Sequence, residues 1–322
     1  MKYTNEQLLK YSKPLSETEK KQCESSIRVF EKIIQDYGFT VTKIKYESTD
    51  DELDYGFHIS KEGLTFTVLL QGSFGNSTCV RQDSDIDIAM ICESTFRGKY
   101  PIGKSGANYG FTTSSFSITK FKNELLNFIN SYYEYNAINH NKCIDFVGND
   151  SSRKDIDIVP SLRFRDYSKD YYCDETNYVK GVLIKCNDGS EIINYPEQSH
   201  DNSITKNNNT NYYYKKIVRI LKNIKHDMED EGYLDAKKVS SYGLECIIYN
   251  VPNFYFSGNS MSDMVLKITE YLLNNCDNIC SFKESNECLK IFDNQNNNAD
   301  IYKSFIKKIY AYVRESYDKK TN

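Results

Sequence analysis

Two short segments in which aspartate alternates with aliphatic residues constrain the fold of this chain more than any other feature. They are residues 85–92 (DIDIAMIC) and residues 155–159 (DIDIV). Successive side chains of a β-strand point to opposite faces, so each segment carries carboxylates on one face and apolar side chains on the other. We therefore expect both segments to belong to a sheet with one polar face and one face packed on helices.

Two amphipathic helices are predicted beside this sheet. Ser16 and Glu19 form a capping box that predicts the start of a helix over residues 16–37, and Gly38 is its expected end. A second helix is predicted after a glycine-rich loop at residues 98–110. Its apolar face comprises Ile118, Phe121, Leu125, Phe128, Ile129 and Tyr132.

Three further segments have the composition of strands. Residues 64–70 (LTFTVLL) are a branched apolar run, and residues 41–46 alternate between polar and apolar side chains. Residues 143–147 precede the second acidic segment and are expected to pair with it as a hairpin. Pro160 is expected to end the second strand of that hairpin, because proline cannot donate a hydrogen bond to a neighbouring strand.

The character of the chain changes near residue 165. Residues 166–210 are polar and are predicted to be irregular, apart from a short pair of strands around the turn at residues 187–189. Beyond this segment apolar residues recur at helical spacing, for example Ile217, Ile220, Leu221 and Ile224. We predict a core at residues 1–165 that includes the helix over 16–37, an irregular connection at 166–210, and a helical domain at 211–322.

Composition excludes several classes of protein. The 322 residues carry a net charge of −4 and a pI of about 5.7, which argues against a protein that coats nucleic acid. No run approaches the length of a membrane span, and the first residues lack the pattern of a secretory signal. Ten scattered cysteines are typical of reduced thiols, so a cytoplasmic location is expected.

The paired aspartates predict a metal site. Asp85 and Asp87 lie two positions apart on one strand face, where like charges repel each other unless a cation neutralises them. A third carboxylate from the second acidic segment completes an all-oxygen site suited to Mg²⁺ shared with substrate phosphates. Two such ions can activate an attacking hydroxyl and stabilise leaving pyrophosphate.

A glycine-serine pair is the second part of this predicted site. Gly72 and Ser73 follow the strand predicted at residues 64–70 and precede Asp85 by about a dozen positions. Main-chain N–H groups and the serine hydroxyl can hold triphosphate oxygens, and glycine permits a close approach.

Together these elements resemble the nucleotidyltransferase superfamily that includes DNA polymerase β, and more closely its cyclic GMP–AMP synthase and oligoadenylate synthase branch. Within that branch the chain is similar to the bacterial CD-NTases (DncV-like enzymes) of anti-phage signalling systems. The matching residues are Gly72-Ser73 with Thr78, Ser84 to Ile88, Asp157-Ile158-Val159-Pro160, Tyr195 to Gln198, Val218 to Lys222, and Ser240 to Glu245. The resemblance covers residues 16–315. It implies an α+β fold: a polymerase-β-like core of a mixed sheet with flanking helices, followed by a C-terminal helical domain.

The resemblance implies roles for three aspartates. Asp85, Asp87 and Asp157 would bind the two metal ions, Mg²⁺ with Mn²⁺ as a substitute. Asp157 would also orient or deprotonate the attacking hydroxyl. Asp157 is chosen over Asp155 because of its spacing to Pro160.

Three other aspartates remain as alternatives. Asp155 points to the same face as Asp157 and is the fallback for the third carboxylate. Asp145, on a neighbouring strand, is a weaker alternative. Asp83 is interpreted as a loop residue before the site.

The helical half contains a basic stripe that the sequence alone would assign to a solvated helix face. Its members, three or four positions apart, are Lys215, Arg219, Lys222 and His226. With the resemblance, Lys222 would supply a point charge to the triphosphate, and Ser241 would bind the same phosphates. Tyr242 would stack on a nucleobase, although burial in the helical core is the alternative. Arg219 is expected to pair with a carboxylate.

The expected activity is template-independent nucleotidyl transfer in a cleft between the two halves. By resemblance the substrates are NTPs, ATP among them, and the product is a cyclic di- or oligonucleotide that activates a separate effector. We expect no membrane partner, and the sequence carries no strong signal for binding nucleic acid. The alternatives are linear products or another acceptor, such as an RNA end or a small molecule. A catalytically dead nucleotide-binding scaffold is a further alternative.

Overall fold

The computed structural model describes residues 1–43, 56–80, 85–132, 136–149, 151–293 and 297–315. Part of the predicted strand at residues 41–46 and the alternative ligand Asp83 lie outside them.

The strands occur in the first two thirds of the chain. In chain order they are β1 (Thr40–Lys43), β2 (Gly56–Lys61), β3 (Leu64–Gln71), β4 (Ile86–Lys99), β5 (Ala137–Asn139), β6 (Ile144–Phe146), β7 (Ile156–Asp166), β8 (Val179–Lys185) and β9 (Glu191–Asn194). They form one mixed sheet in the order β1-β2-β3-β4-β7-β6-β5, with β8 paired to β7 and β9 to β8. Strands β4 and β7 are parallel, and the other pairs are antiparallel.

The helices are concentrated toward the C-terminus. In chain order they are α1 (Asn5–Tyr11), α2 (Glu17–Asp36), α3 (Gly72–Gly75), α4 (Ile118–Tyr132), α5 (Pro196–Asn208), α6 (Tyr214–Asp230), α7 (Leu234–Lys238), α8 (Ser241–Tyr249), α9 (Met261–Asn274) and α10 (Ala299–Arg314). Short 3₁₀ helices occur at Gly106–Tyr109, Asn253–Phe256 and Cys276–Ser281. No helix in the described part of the chain is both long and apolar enough to cross a membrane.

These elements form two compact units. The sheet unit lies within Ser16–Gly75 and Ser84–Glu197, and the helical unit within Met1–Leu15, Asn76–Asp83 and Gln198–Asn322. This division differs from the predicted boundaries near residues 165 and 210. The prediction followed sequence order, whereas each observed unit combines distant segments of the chain.

In the sheet unit the two predicted helices are confirmed. The Ser16 hydroxyl accepts the amide of Glu19, whose carboxylate accepts the Ser16 amide, and this capping box starts α2. Gly38 has a φ of +99°, a conformation that favours glycine, and follows the end of α2. Phe121 of α4 stacks on Phe66 of β3 with 4.8 Å between ring centroids, so α4 covers the apolar face of the sheet.

The hairpin of β6 and β7 is confirmed, but Pro160 does not end β7 as predicted. β6 pairs with β7 as far as Ile158, and β8 begins to pair with the same side at Leu162. Pro160 lies between these two stretches while it remains in register with Met90 of β4. The missing amide of Pro160 is tolerated because that side of β7 is unpaired at this point.

Two segments are more regular than predicted. The predicted loop at 98–110 begins within β4, which extends to Lys99, and it also contains the 3₁₀ helix Gly106–Tyr109. The predicted irregular segment 166–210 contains the end of β7 and the expected strand pair, but also α5. Helix α5 has few apolar residues, so its sequence carried no periodic helix signal.

Candidate active site

Strand register brings the acidic segments side by side in the sheet unit. Asp87 of β4 is the register partner of Asp157 in the parallel strand β7, and Asp145 of β6 is the antiparallel partner of Asp157. Residues directly opposite on adjacent strands share a sheet face, about 5 Å apart. Asp85 and Asp155 lie two positions earlier on the same face. We call these five residues the carboxylate row.

The two faces of these strands differ sharply in burial. Ile86, Ile156 and Ile158 are completely buried, whereas Asp85 and Asp155 are exposed and the other members of the row are half-buried. The alternation predicted from the sequence is therefore confirmed. The apolar face anchors the strands in the core, and the opposite face holds the carboxylates at the surface of the unit.

Desolvation and the charges of neighbouring carboxylates raise the pKa of two members of the row. Desolvation, and then the charges of Asp155, Asp157 and Asp145, raise the pKa of Asp85 above its usual value. Desolvation also raises the pKa of Asp145, with further contributions from Asp155 and Asp157. Such an arrangement is favoured when a cation lies against it, because the cation removes the repulsion.

Hydrogen bonds distinguish Asp157 of β7 from Asp155, which directly precedes this strand. One oxygen of Asp155 accepts the amide of Gly148 at 2.7 Å and so closes the turn before β7. Asp157 instead accepts the thiol of Cys143 at 3.2 Å. Burial and then the hydrogen bond to Asp157 raise the pKa of Cys143 to about 12, so the thiol is the proton donor. The turn thus occupies Asp155, which favours Asp157 as the third site residue.

The glycine-serine turn meets the carboxylate row at Asp87. Gln71 at the end of β3 is the register partner of Asp87, and Gly72 begins α3 directly after it. Gly72 has a φ of +65°, and a Cβ atom built there would lie 2.1 Å from Oδ2 of Asp87. Only glycine lets the main chain approach this carboxylate so closely. Ser73 follows and is half-buried.

The row offers the donors that Mg²⁺ prefers, but not a closed cage. Among the described residues, no three acidic, histidine or cysteine side chains are grouped closely enough to hold a metal ion. Mg²⁺ keeps several waters and is commonly bound by one or two carboxylates together with substrate phosphates. An open face of carboxylates beside a turn whose main chain lies against Asp87 fits that mode of binding.

The basic stripe of α6 is buried, contrary to the expected solvated face. Lys215, Arg219 and Lys222 are between 1% and 6% exposed. The ammonium group of Lys222 lies 3.2 Å from Oε2 of Glu245 in α8, and its contact with a triphosphate stays a prediction. Burial of these cations is possible because other segments of the helical unit supply matching acceptors.

Arg219 also has partners other than the expected carboxylate. Its guanidinium donates to the main-chain carbonyl groups of Ser12 and Ser77, which belong to two separate segments of the helical unit. Arg219 therefore ties loop segments to α6. This arrangement satisfies main-chain acceptors that would otherwise be buried without partners.

Ser241 and Tyr242 form the first turn of α8. The hydroxyl of Ser240 accepts the amide of Gly243 at 3.0 Å and caps the helix, and Ser241 is half-buried directly after the cap. The phenol of Tyr242 donates to Glu284 at 3.0 Å, while its ring packs partly against the helical core. Burial raises the pKa of Tyr242 well above its usual value, so the phenol is a donor.

Sequence reasoning missed three residues that hold the predicted ones. Cys143 contacts Asp157, Glu245 pairs with Lys222, and Glu284 holds Tyr242. Glu245 lies one turn after Tyr242 in the motif that carried the resemblance, so a buried acid facing α6 could have been suspected. Cys143 lies in the segment that was expected to pair with the second acidic segment, but its contact with Asp157 depends on the register of that hairpin. Glu284 has no local signal, because Tyr242 lies far away along the chain.

Comparisons with known proteins identify the family of this chain. The family described as the cGAS/DncV-like nucleotidyltransferase C-terminal helical domain covers residues 201–314. The chain is 39% identical over 324 residues to the cyclic GMP-AMP synthase CdnE03 of Staphylococcus schleiferi, spanning 99% of both chains. It is 30% identical over 311 residues to the cyclic dipyrimidine nucleotide synthase CdnE of Legionella pneumophila, spanning 95% of this chain and 97% of the relative.

A solved structure supports the fold. The Elizabethkingia meningoseptica CdnE cyclic dinucleotide synthase, determined with GTP and Apcpp, is 24% identical. It superposes with a TM-score of 0.73 over 97% of this chain and 100% of that chain. The predicted polymerase-β-like α+β fold with a C-terminal helical domain is thereby confirmed. The chain belongs to the bacterial CD-NTases, the cGAS/DncV-like nucleotidyltransferase family of cyclic nucleotide synthases.

Proposed function

We propose that this chain is a Mg²⁺-dependent, template-independent nucleotidyltransferase that makes a cyclic di- or oligonucleotide second messenger from NTPs. The observation that carries the proposal is the register of Asp87 and Asp157 on adjacent parallel strands, with Gly72 against Asp87. Two curated relatives of nearly full length are named cyclic nucleotide synthases, which supports the ring-forming activity.

Asp85, Asp87 and Asp157 are the proposed ligands of two Mg²⁺ ions, with Mn²⁺ as a substitute. Bound metal would supply charge stabilisation at the transferring phosphoryl group. Asp157 is also proposed to accept the proton of the attacking hydroxyl. That hydroxyl oxygen, on one nucleotide, forms a bond to the α-phosphorus of a second nucleotide, and the bond to the leaving pyrophosphate breaks. A second transfer of the same kind closes the ring.

Gly72 and Ser73 are proposed to hold the triphosphate. Main-chain amides of the turn would donate to phosphate oxygens, and the absence of a side chain at Gly72 lets this main chain lie against Asp87. Fixed donors of this kind stabilise developing charge without reorganisation, which is the main protein contribution to phosphoryl transfer.

In the helical unit, Ser241 and Tyr242 are proposed to contact nucleotide. The Ser241 hydroxyl would bind phosphate oxygens near the start of α8. The ring of Tyr242 would stack on a base, an interaction worth about 1–3 kcal/mol that tolerates different bases. Two relatives are named for different products, cyclic GMP-AMP and cyclic dipyrimidine nucleotides, and stacking suits such variation.

The product is proposed to act in anti-phage signalling by activating a separate effector protein in the cytoplasm, and ATP is one of the proposed substrates. Linear oligonucleotide synthesis, or transfer to an RNA end or a small molecule, uses the same carboxylates and is the main alternative. A dead scaffold is disfavoured, because the carboxylate row retains like charges that a binding module would not need.

Incubation of the purified chain with each labelled NTP and with all pairs of NTPs tests the proposal. With Mg²⁺ or Mn²⁺ we expect a phosphatase-resistant product whose mass is that of a cyclic nucleotide. Asp87→Asn should make none, and the matched variant Asp277→Asn, at an exposed carboxylate in a 3₁₀ helix, should behave as wild type. A product that phosphatase degrades, or a requirement for RNA or a small molecule, would contradict ring formation.

A further inference from the structure

In the part of the chain that the structure describes, the proposed metal ligand Asp157 has one hydrogen-bond donor, and that donor is a thiol. Cys143, which directly precedes β6, donates to Oδ1 of Asp157 at 3.2 Å. One oxygen of the carboxylate is therefore engaged by the protein, and the other is left for a ligand.

The register of the hairpin places this thiol beside Asp157. Asp145 of β6 is the direct partner of Asp157, and Cys143 lies two positions before Asp145, on the same face. A diagonal neighbour across a hairpin is within reach of a side-chain contact. The main-chain pairing of β6 with β7 therefore sets the separation of thiol and carboxylate.

The turn that carries Cys143 is also held by Lys122 of α4. The amide of His140 donates to the carbonyl of Cys143 at 3.0 Å and closes the turn between β5 and β6. The ammonium of Lys122 donates to the carbonyl of His140 at 2.7 Å and to Oδ1 of Asn187 at 3.0 Å. It also reaches the carbonyl of Asn141 at 3.5 Å, and the lysine is 3% exposed. Its three N–H donors thus have three acceptors outside the carboxylate row, so this cation fixes the turn without pairing with an aspartate.

A neutral donor suits the position beside Asp157. A lysine or arginine there would pair with the carboxylate and offset the negative charge that attracts a metal ion. A thiol is an uncharged, weak donor, so it can orient the carboxylate and leave its charge available. Outer partners of metal-binding side chains commonly act in this way, and losing one typically costs about 10–100-fold in metal affinity or activity.

We propose that Cys143 is a positioning residue for nucleotidyl transfer, acting through Asp157. Its thiol holds one oxygen of the carboxylate, so that the other is available to the metal ion and to the proton of the attacking hydroxyl. This inference rests on the proposed function, because that function assigns both tasks to Asp157. The competing role is packing, in which the volume of the Cys143 side chain matters and its hydrogen bond does not.

Three substitutions of Cys143 separate the hydrogen bond from packing. Cys143→Ser keeps a donor, whereas Cys143→Ala and Cys143→Val remove it and change the volume in opposite directions. We expect both apolar variants to lower kcat about tenfold while the KM for NTPs stays within about two-fold, because Asp157 is proposed to act in the transition state. Cys143→Ser should stay within about three-fold of wild type, since its hydroxyl can replace the thiol as donor.

The matched control is Cys173→Ala. Cys173 is another half-buried thiol of the sheet unit, but its polar partner is Lys104, whose ammonium lies 3.0 Å from the sulfur. It follows the far end of β7 from Asp157, so its loss should leave kcat and KM unchanged.

Binding of Mn²⁺ alone, followed by electron paramagnetic resonance of the free ion, provides a readout that does not need turnover. Cys143→Ala and Cys143→Val should weaken this affinity about tenfold, and Cys143→Ser should leave it nearly unchanged. In the Asp157→Asn background neither apolar variant should have a further effect, because the side chain through which Cys143 acts is already lost.

The inference is overturned if Cys143→Ser loses as much activity as the apolar variants, or if Cys143→Val is as active as wild type. Equal weakening of Mn²⁺ binding in the wild-type and Asp157→Asn backgrounds would also overturn it. A wild-type chain that makes no product from any NTP refutes the proposed function instead, and the Mn²⁺ titrations then judge the inference alone.

Discussion

The two units use their acidic residues in opposite ways. In the helical unit Glu245 is buried with a cation and two hydrogen-bond donors around it. In the sheet unit Asp87 and Asp157 lie beside each other on adjacent strands at a half-buried surface, and desolvation and neighbouring carboxylates raise the pKa of Asp85 in the same row. Charges surrounded by partners hold segments of the chain together, whereas like charges kept side by side favour the binding of a cation.

Strand β7 contains both kinds of charge within seven residues. Asp157 belongs to the carboxylate row, whereas Arg163 is buried between the carboxylates of Glu93 and Glu197. Glu197 stands at the start of α5, so this network fixes the point where the chain leaves the sheet. The contrast is therefore a property of each location and not of one unit as a whole.

The contrast is tested most strongly by removing a charge from the carboxylate row. Asp157→Asn should lower nucleotidyl transfer by about 10³-fold or more, because a proposed metal ligand and proton acceptor is lost. Tm in metal-free buffer should stay level or rise, since repulsion among the carboxylates is relieved. Product formation and thermal denaturation measure the two effects.

Asp155→Asn is the matched control for this prediction. Its side-chain oxygen can still accept the Gly148 amide, so the turn before β7 should survive and activity should remain within a few-fold of wild type. Equal loss of activity in Asp155→Asn and Asp157→Asn would show that Asp157 has no role in catalysis that Asp155 lacks. A large fall in Tm for Asp157→Asn would indicate that Asp157 stabilises the fold instead.

In the network of Arg163, Glu93 and Glu197, removing a charge is expected to lower stability strongly. Arg163→Met leaves Glu93 and Glu197 close together with only the exposed Lys180 against Glu197, and should lower the free energy of unfolding by about 3–5 kcal/mol at pH 7. Denaturant titration measures this loss. Arg97→Met, at an exposed pair with Glu191, is the control and should change stability little.

This loss should depend on pH. Burial alone would raise the pKa of Glu93, but the hydrogen bond and charge of Arg163 outweigh burial and lower it below 4.5. A lowered folded-state pKa contributes stability above the unfolded value, and this contribution disappears as pH falls through the folded value. The difference between wild type and Arg163→Met should therefore shrink below about pH 4.5. A difference that stays constant with pH would mean that lost packing, not the ion pair, destabilises the variant.

Local signals explain which parts of the fold could be predicted. The capping box at Ser16 and the alternation at residues 85–92 act within a few residues, and both appear in the structure as expected. Pro160 was misjudged because its tolerance depends on a gap between two other strands, which no local pattern reports. Helix α5 was missed because it lacks an apolar stripe.

The helical half shows the limit of periodicity more clearly. Polar residues at regular spacing on α6 indicated a solvated face, yet Lys222 is buried because Glu245 faces it from another helix. Pairing between helices depends on packing, which residue spacing along one helix does not report. Residue spacing therefore did not separate a buried lysine from a solvated one.

At the contact between Gly72 and Asp87 we expect an effect on activity of intermediate size. A Cβ at Gly72 would lie 2.1 Å from Oδ2 of Asp87, so Gly72→Ala must displace that carboxylate or the turn. We expect kcat to fall about 10²-fold. The control is Gly103→Ala, because Gly103 has a similar φ of +79° and nothing within 4 Å of its would-be Cβ.

Both glycine variants impose comparable main-chain strain, of about 1 kcal/mol, and only Gly72→Ala adds the displacement at Asp87, so its Tm should fall at least as far as that of Gly103→Ala. Steady-state kinetics then isolates the effect of the contact with Asp87. If Gly103→Ala lost as much activity as Gly72→Ala, strain would account for both, and the turn would have no special relation to the carboxylate row.

The smallest expected effect concerns Tyr242, which combines a structural hydrogen bond with a proposed contact to nucleotide. Its phenol is held by Glu284, which also accepts the side-chain amide of Asn286, while its ring is proposed to stack on a base. Tyr242→Ala should raise the KM for NTPs by about tenfold, in keeping with stacking worth about 1–3 kcal/mol. Tyr242→Phe keeps the ring and should raise KM only about two-fold.

Glu284→Gln shows whether the hydrogen bond acts through the ring. If Glu284 only orients Tyr242, its substitution should raise KM slightly in wild type and have no further effect in the Tyr242→Phe background. Equal effects of Tyr242→Ala and Tyr242→Phe would place the function in the hydroxyl group and its acidic partner. Tyr242 would then belong with Lys222 among the residues whose compensated polar groups hold the helical unit together, and base recognition would have to come from other side chains.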